Sequence, residues 1–359
     1  MAENPSMAVG VPAAAAGPAP MTVEALKCSL GRHRRHLVWV LAVLGVLVAA
    51  LAAAEVMLGN TVYPVQVVLE VLRGAQVKGA TYAIWEVRLP RLAAGLLAGF
   101  AFGVAGNTFQ TMLRNPLASP DVIGITSGAS AVAVACILVA HMGTAGASLW
   151  SVLGSAATAA TIFVLSTVGG FSIGKFILVG LGVQAFMKAV VSYLLLKGAE
   201  FDVPVALRWL NGSLSGTTMD DVSTLLVIVP LTALVMLLGR QLKVLELGDA
   251  SATALGARPL LIRVALVLCC VTMIAFCTAV TGPISCVSLL AGPIATRLVG
   301  QASSSTAAAG LVGAALVLAA DLVGQYVLGT RFPVGVVTGI LGTPYLLYLL
   351  VSMNKKGSA

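Results

Sequence analysis

Ten apolar runs divide the chain, at 37–58, 89–112, 121–141, 148–169, 175–197, 222–239, 260–280, 283–299, 306–328 and 334–353. At a rise of about 1.5 Å per residue, a helical run of about 20 residues crosses a hydrocarbon layer of about 30 Å. The eighth run is short and holds Pro283 and Pro293, so it is expected to be broken or partly re-entrant. The second carries no charged residue between Leu92 and Leu113, and its Gly95, Gly99 and Gly103 fall four apart. They share one helix face and allow another backbone to approach closely. The pattern predicts an all-α polytopic membrane protein of about ten transmembrane helices.

Composition agrees with the pattern. Of 359 residues 59% are hydrophobic and 9% charged, too few charges to cover a water-facing surface. The net charge of +8 is dispersed among apolar helices and forms no basic stripe, which argues against nucleic-acid binding. Six cysteines show no CxxC spacing and lie mostly in apolar runs, where they read as small core residues.

Residues 1–36 are Ala/Pro-rich and end in a basic cluster, read as a disordered cytoplasmic leader before a retained first helix. The transmembrane unit is expected over 37–353 and a cytoplasmic tail over 354–359. With both termini inside, thirteen of the 21 Lys and Arg fall on the cytoplasmic side and seven outside, among them Arg88, Arg91 and Arg331. Lys188 falls within a run, where its charge costs about 2.5 to 3.5 kcal/mol, so it either faces a watery cavity or snorkels.

Two polar segments connect runs. Residues 59–88, with Tyr63, Trp85 and Glu86, form an outer connection. Residues 240–263 form an inner one, in which Asp249 starts a short helix near its N-cap and Gly256 stops it. This amphiphilic helix is positioned to present Leu245, Leu247 and Leu255 to a partner groove. Asp220 and Asp221 suit the N-terminus of a following helix. Chemistry is sparse. GGFSIGK at 169–175 resembles a P-loop, but Phe176 stands where the magnesium-binding Ser/Thr belongs. No paired carboxylates, metal-ligand cluster or nucleophile triad appears, so no intrinsic enzymatic activity and no cofactor or metal on this chain is expected.

Seven motifs together carry a resemblance: RLPR (88–91), GNTFQTMLRNPLASPDVIGITSGA (106–129), RWLNGSL (208–214), LELGDASATALGA (245–257), TGPISCVSLLAGPIATRLVG (281–300), AADLVGQ (319–325) and FPVGVVTGILGTPYLLYLL (332–350). From about Trp39 to Met353 the chain resembles permeases of the iron-siderophore and vitamin B12 (FecCD-type) class of ABC importers. The resemblance implies the type II importer permease fold in the bacterial cytoplasmic membrane. It also implies pairing with a second permease copy or a paralogue, two ATPase subunits that bind ATP and Mg, and an extracytoplasmic binding protein. The cargo implied is a ferric siderophore, with heme or cobalamin as the alternative. An ion-coupled secondary transporter would need mid-membrane carboxylates, for which the sequence offers Asp321 alone.

By that resemblance Arg88 and Arg91 match outer arginines that receive glutamates of the binding protein. Asn115 and Leu117 match an inner gate, and Ser172 and Ile173 a second one. Leu245, Leu247, Gly248, Asp249, Ala250, Leu255 and Gly256 match the segment that docks on the ATPase. Two departures stand out. Gly292-Pro293 replaces a Pro-His pair, and Gln325 replaces a third outer arginine whose charge Arg331 is expected to supply.

Overall fold

The computed structural model describes residues 23–121, 124–169, 173–246, 248–300 and 305–357, and among them there is helix and turn but no strand. The helices are α1 (Val23–Met57), α2 (Val65–Leu72), α3 (Ala80–Tyr82), α4 (Leu89–Leu113), α5 (Ile125–Leu138), α6 (Thr144–Thr167), α7 (Ile173–Lys197) and α8 (Val203–Leu210). There follow α9 (Met219–Leu225), α10 (Ile228–Glu246), α11 (Asp249–Ala254), α12 (Pro259–Thr281), α13 (Val287–Val299), α14 (Thr306–Tyr326) and α15 (Val334–Gly357). A wide π turn, Ala83–Arg88, joins α3 to α4.

Every expected run contains a helix. Seven are long and apolar enough to cross a membrane, and Ile125–Leu138, Val287–Val299 and Val334–Leu349 are shorter apolar helices. The helix in the eighth run is short, as expected: Val287–Val299, thirteen residues or about 20 Å. The third contracts to Ile125–Leu138 because Gly124, at φ 93°, and His141, at φ 49°, turn the chain at its ends. The leader differs from expectation. α1 already begins at Val23, since VEALKCSLGRHRRH holds no proline and is rich in good helix formers, so residues 23–36 are helical. Residues 1–22 lie outside the described residues.

Helix α4 is the axis of the fold. It is enclosed by α10, α12, α13 and α14, and it is almost continuously buried from Ala98 to Gln110. Phe102 and Phe109 of α4, Ile228 of α10, and Leu266, Met273 and Ile274 of α12 fill the main core. Cys270 and Cys277 are buried there as well, in the role read from the sequence. Helices α4 and α14 run antiparallel, and the glycine spacing does what it predicts. A Cβ on Gly99 would lie 2.8 Å from the Gly313 carbonyl, and one on Gly103 would collide with the Ala309 carbonyl. Gly95 meets side chains instead, those of Leu214 and Leu318. Helices α5, α6 and α7 form a second layer joined to the first through α12, and α1 packs on α14.

Candidate functional site

At one end of the bundle Pro90 is the second residue of α4, with no N–H and with a ring that would crowd the carbonyl four residues back. The preceding turn widens, and Leu89 N–H reaches the Ile84 carbonyl. The widened turn carries Arg88 into the end of α1. Its guanidinium donates to the carbonyls of Val56 at 2.6 Å, Met57 at 3.0 Å and Thr61 at 2.7 Å, and lies 4.8 Å from the Tyr63 ring centre. Val56 and Met57 are the last residues of α1, whose carbonyls have no partner within the helix. Arg88 is therefore a buried C-terminal cap for α1, and its donors are spent inside the chain.

Arg91, one turn further, holds Asp321 of α14 in a two-pronged pair at 2.6 Å and 2.6 Å. Gln325 donates to Asp321 at 2.7 Å and to Glu55 of α1 at 3.0 Å. Glu55 stands 3.6 Å from Arg91, and its Oε2 is buried without a partner among the described residues. Two carboxylates thus share one guanidinium and one amide, and this cluster ties α1, α4 and α14 together. A cavity of about 260 Å³ opens beside it, lined by Glu55, Tyr63, Arg88, Arg91 and Arg331. Of the three outer arginines expected to meet a binding protein, Arg88 is buried and Arg91 is committed to Asp321. Only Arg331 is exposed, with one contact to the Asn60 side chain at 2.6 Å. Gln325 takes a place in the ion cluster where an arginine was expected. Glu55 escaped the sequence reading, although a lone acid inside an apolar first run is the signal that marks it.

At the opposite end α4 stops at Arg114, in the left-handed region at φ 49°. Asn115 N–H returns to the Gln110 carbonyl at 3.0 Å, and Asn115 Oδ1 accepts from Leu117 N–H at 2.9 Å. Asn115 is exposed and Leu117 half-buried on this tight turn. The Arg114 guanidinium donates to the Leu245 carbonyl at 2.7 Å, capping the last turn of α10. That link between the turn at Asn115 and the 245–257 segment spans 131 positions and has no local signal in the sequence.

Within that segment Gly248 precedes α11, and Gly256, at φ 82°, ends it as expected, while Ala257 N–H bonds the Ala252 carbonyl at 2.9 Å. Ala252 is buried, Leu255 is 67% exposed, and Leu245 is 3% exposed. The expectation that Leu245 meets a partner is corrected: it packs in the chain's own core, and of the described leucines in the segment Leu255 is the one offered outward. Asp249 is the first residue of α11, and Ala250 is exposed. Leu247 and Ser172 lie outside the described residues, and Ile173 starts α7.

The Gly292-Pro293 departure has a local reason. Pro293, inside α13, cannot donate to the Leu289 carbonyl four residues back, and Gln110 Nε2 supplies that bond at 3.0 Å. Gly292 makes room for it, since a Cβ there would collide with Gln110 Oε1.

A helical bundle with seven helices, among the described residues, long and apolar enough to cross a membrane, locked along a glycine seam and with polar groups gathered at its two ends, is the architecture of a multi-pass membrane protein. The chain belongs to the FecCD transport family, whose model matches residues 46–352. It is 39% identical over 292 residues to the ferric enterobactin transport system permease protein FepG of Escherichia coli K12, covering 80% of this chain and 88% of that one. It is 38% identical over 322 residues to the achromobactin transport system permease protein CbrC of Dickeya dadantii, covering 88% and 90%. With the Fe(3+)-citrate import system permease protein YfmE of Bacillus subtilis it shares 32% over 332 residues, covering 90% and 98%. A solved structure described as a metal-chelate type ABC transporter in an inward-facing conformation superposes with a TM-score of 0.78 at 25% identity, covering 87% of this chain and 98% of that one. The protein is an ABC-transporter permease subunit.

Proposed function

We propose that this chain is the permease subunit of an ATP-driven importer that carries a ferric siderophore into the cytoplasm by alternating access. The observation that carries the reading is similarity to siderophore and ferric-citrate permeases over nearly the whole chain, 46–352 in the family match. Two permeases, identical or paralogous, enclose the pathway, with both termini cytoplasmic. ATP and Mg belong to two separate ATPase subunits, and an extracytoplasmic binding protein delivers the cargo.

Three parts of the chain serve this cycle. Arg331, beside the outer cavity, meets the binding protein. Exposed Leu255 and Ala250, on the α11 segment, dock on the ATPase. The Asn115–Leu117 turn, held to the end of α10 by Arg114, forms the cytoplasmic gate together with Ser172 and Ile173. A small polar side chain beside an apolar one closes a narrow pore and parts for a bulky ligand with a modest shift of populations.

The test is uptake into vesicles containing the assembled importer. Accumulation of a radiolabelled ferric siderophore that requires ATP on the inner side and survives an ionophore supports the reading. Accumulation by the permease alone, or its collapse on adding the ionophore, overturns it.

A further inference from the structure

Lys188 lines a cavity of about 490 Å³ whose walls set polar side chains, among them Ser127, Ser130, Gln184 and Ser192, into a largely apolar surface. On α7, Gln184, Lys188 and Ser192 fall four apart and share one face. Ser127 and Ser130 of α5 and the turn at Asp121 form other walls. Gln184 Nε2 donates to the Asp121 carbonyl at 2.8 Å, which fixes α7 to the chain segment that follows the Asn115 turn. The Asp121 carboxylate accepts from the Ser288 hydroxyl of α13, and it lies beyond ion-pair distance of Lys188. The ammonium has no hydrogen-bond or ion-pair partner among the described residues.

Snorkelling does not account for this lysine. It stands about 13 Å along α7 from the Lys197 end and about 22 Å from the Ile173 end. Helical side chains lean toward the helix N-terminus, so Lys188 leans toward the farther end. Lys188 is exposed on the single chain, and an ammonium at that depth of a membrane helix, opening onto a cavity with hydroxyls and an amide around it and no carboxylate on it, offers an anion a charged contact.

Resting on the importer reading above, we infer that this cavity is a station on the cargo's path and that Lys188 is its charge-bearing contact for a negatively charged ferric chelate. Ferric ion held by three catecholates, or by citrate carboxylates, keeps net negative charge, whereas a ferric trihydroxamate is neutral. The serine hydroxyls and Gln184 offer hydrogen bonds to the oxygen-rich exterior of such a chelate. One unpaired cation favours entry without holding the cargo too tightly to leave.

The experiment uses the complete importer in vesicles, with three probes: a ferric tris-catecholate, ferric citrate and a ferric trihydroxamate. Wild type is expected to take up at least one anionic probe. For that probe Lys188→Gln should lower the uptake rate about tenfold and Lys188→Glu more. Lys188→Arg should stay within about threefold of wild type, since a full charge is kept. Basal ATP hydrolysis and binding-protein affinity should remain unchanged in all three variants, which separates loss of the station from misfolding. If Lys188→Glu fails to assemble, the order of Gln and Arg decides.

Uptake of the anionic probe by Lys188→Gln at the wild-type rate, or transport of the neutral probe alone, overturns this inference and leaves the importer reading intact. Absence of ATP-dependent uptake of every probe by wild type overturns the importer reading itself, and this inference with it.

Discussion

Helices α4 and α7 are both 25 residues long and both apolar, yet one is enclosed on nearly every side and the other is scarcely covered. The difference lies in what their small residues meet. Gly99 and Gly103 of α4 touch the backbone of α14, whereas Gly182 of α7 has no atom within 4 Å of where its Cβ would stand. Without a hydrophobic force between helices in lipid, close approach of backbones decides which helices associate. The α4–α14 seam is thus the rigid part of the subunit. Helix α7 stays open at Gly182, and its face carrying Gln184, Lys188 and Ser192 lines the cavity inferred above to be a cargo station.

The comparison breaks most sharply at the ion cluster that closes the seam. Arg91→Met leaves Glu55 and Asp321 buried without a cation and should destabilise the protein by about 3 to 5 kcal/mol. Glu55→Gln, which removes the surplus acid and keeps a polar group beside Gln325, should be near neutral. Thermal unfolding in detergent checks both, and equal losses would show that Glu55 is as firmly paired as Asp321. Next comes the seam itself. Gly103→Leu drives a side chain into the α14 backbone and should cost about 3 kcal/mol, while Gly182→Leu should leave folding unchanged. A similar loss at both positions would remove the distinction between the two helices.

A smaller effect belongs to the repair of α13. Gln110→Leu orphans the buried Leu289 carbonyl and should cost about 1 to 3 kcal/mol. Restoring a donor by replacing Pro293 with alanine in the same background should recover part of it. Arg331→Glu, on the surface, should leave stability alone. It should weaken docking of the binding protein about tenfold, mostly through a slower, salt-dependent association. Unchanged affinity would remove Arg331 from that interface.

Local patterns were legible in the sequence and distant partners were not. Spacing of four announced the Gly99–Gly103 face, and a glycine after an apolar helix announced the stop at Gly256, because both depend on residues a turn away. Thr218 and Asp221 cap α9 reciprocally, in keeping with acids at its start. Arg88 read as an outer docking residue because nothing near it in the chain shows that it meets the end of α1, more than thirty positions upstream. The 230 positions between Arg91 and Asp321, and the 179 between Gln110 and Leu289, hid those pairs equally. Leu245 was placed on the outside because an apolar residue at a helix end looks the same from either side of the surface.

Arg114 stands where the end of α4 is tied to the end of α10, and it pairs a small change in stability with a distinct functional consequence. In the left-handed region a non-glycine residue costs about 1 kcal/mol, which Arg114→Gly relieves. The same substitution frees the Leu245 carbonyl, losing a charge-assisted bond worth about 1.5 to 3 kcal/mol when buried and less at this exposed position. The two effects nearly cancel, so unfolding should shift by less than about 1 kcal/mol. What does not cancel is the tie between the end of α10, which leads into α11, and the turn that carries Asn115 and Leu117. If that tie passes movement of the ATPase-docking segment to the gate, Arg114→Gly should hydrolyse ATP at the wild-type rate while importing less cargo per ATP. Arg114→Lys, which keeps the charge and a donor, should recover part of the coupling. An unchanged ratio of cargo to ATP in Arg114→Gly would mean that the gate is moved through α4 and α12 instead, by the rigid part of the subunit.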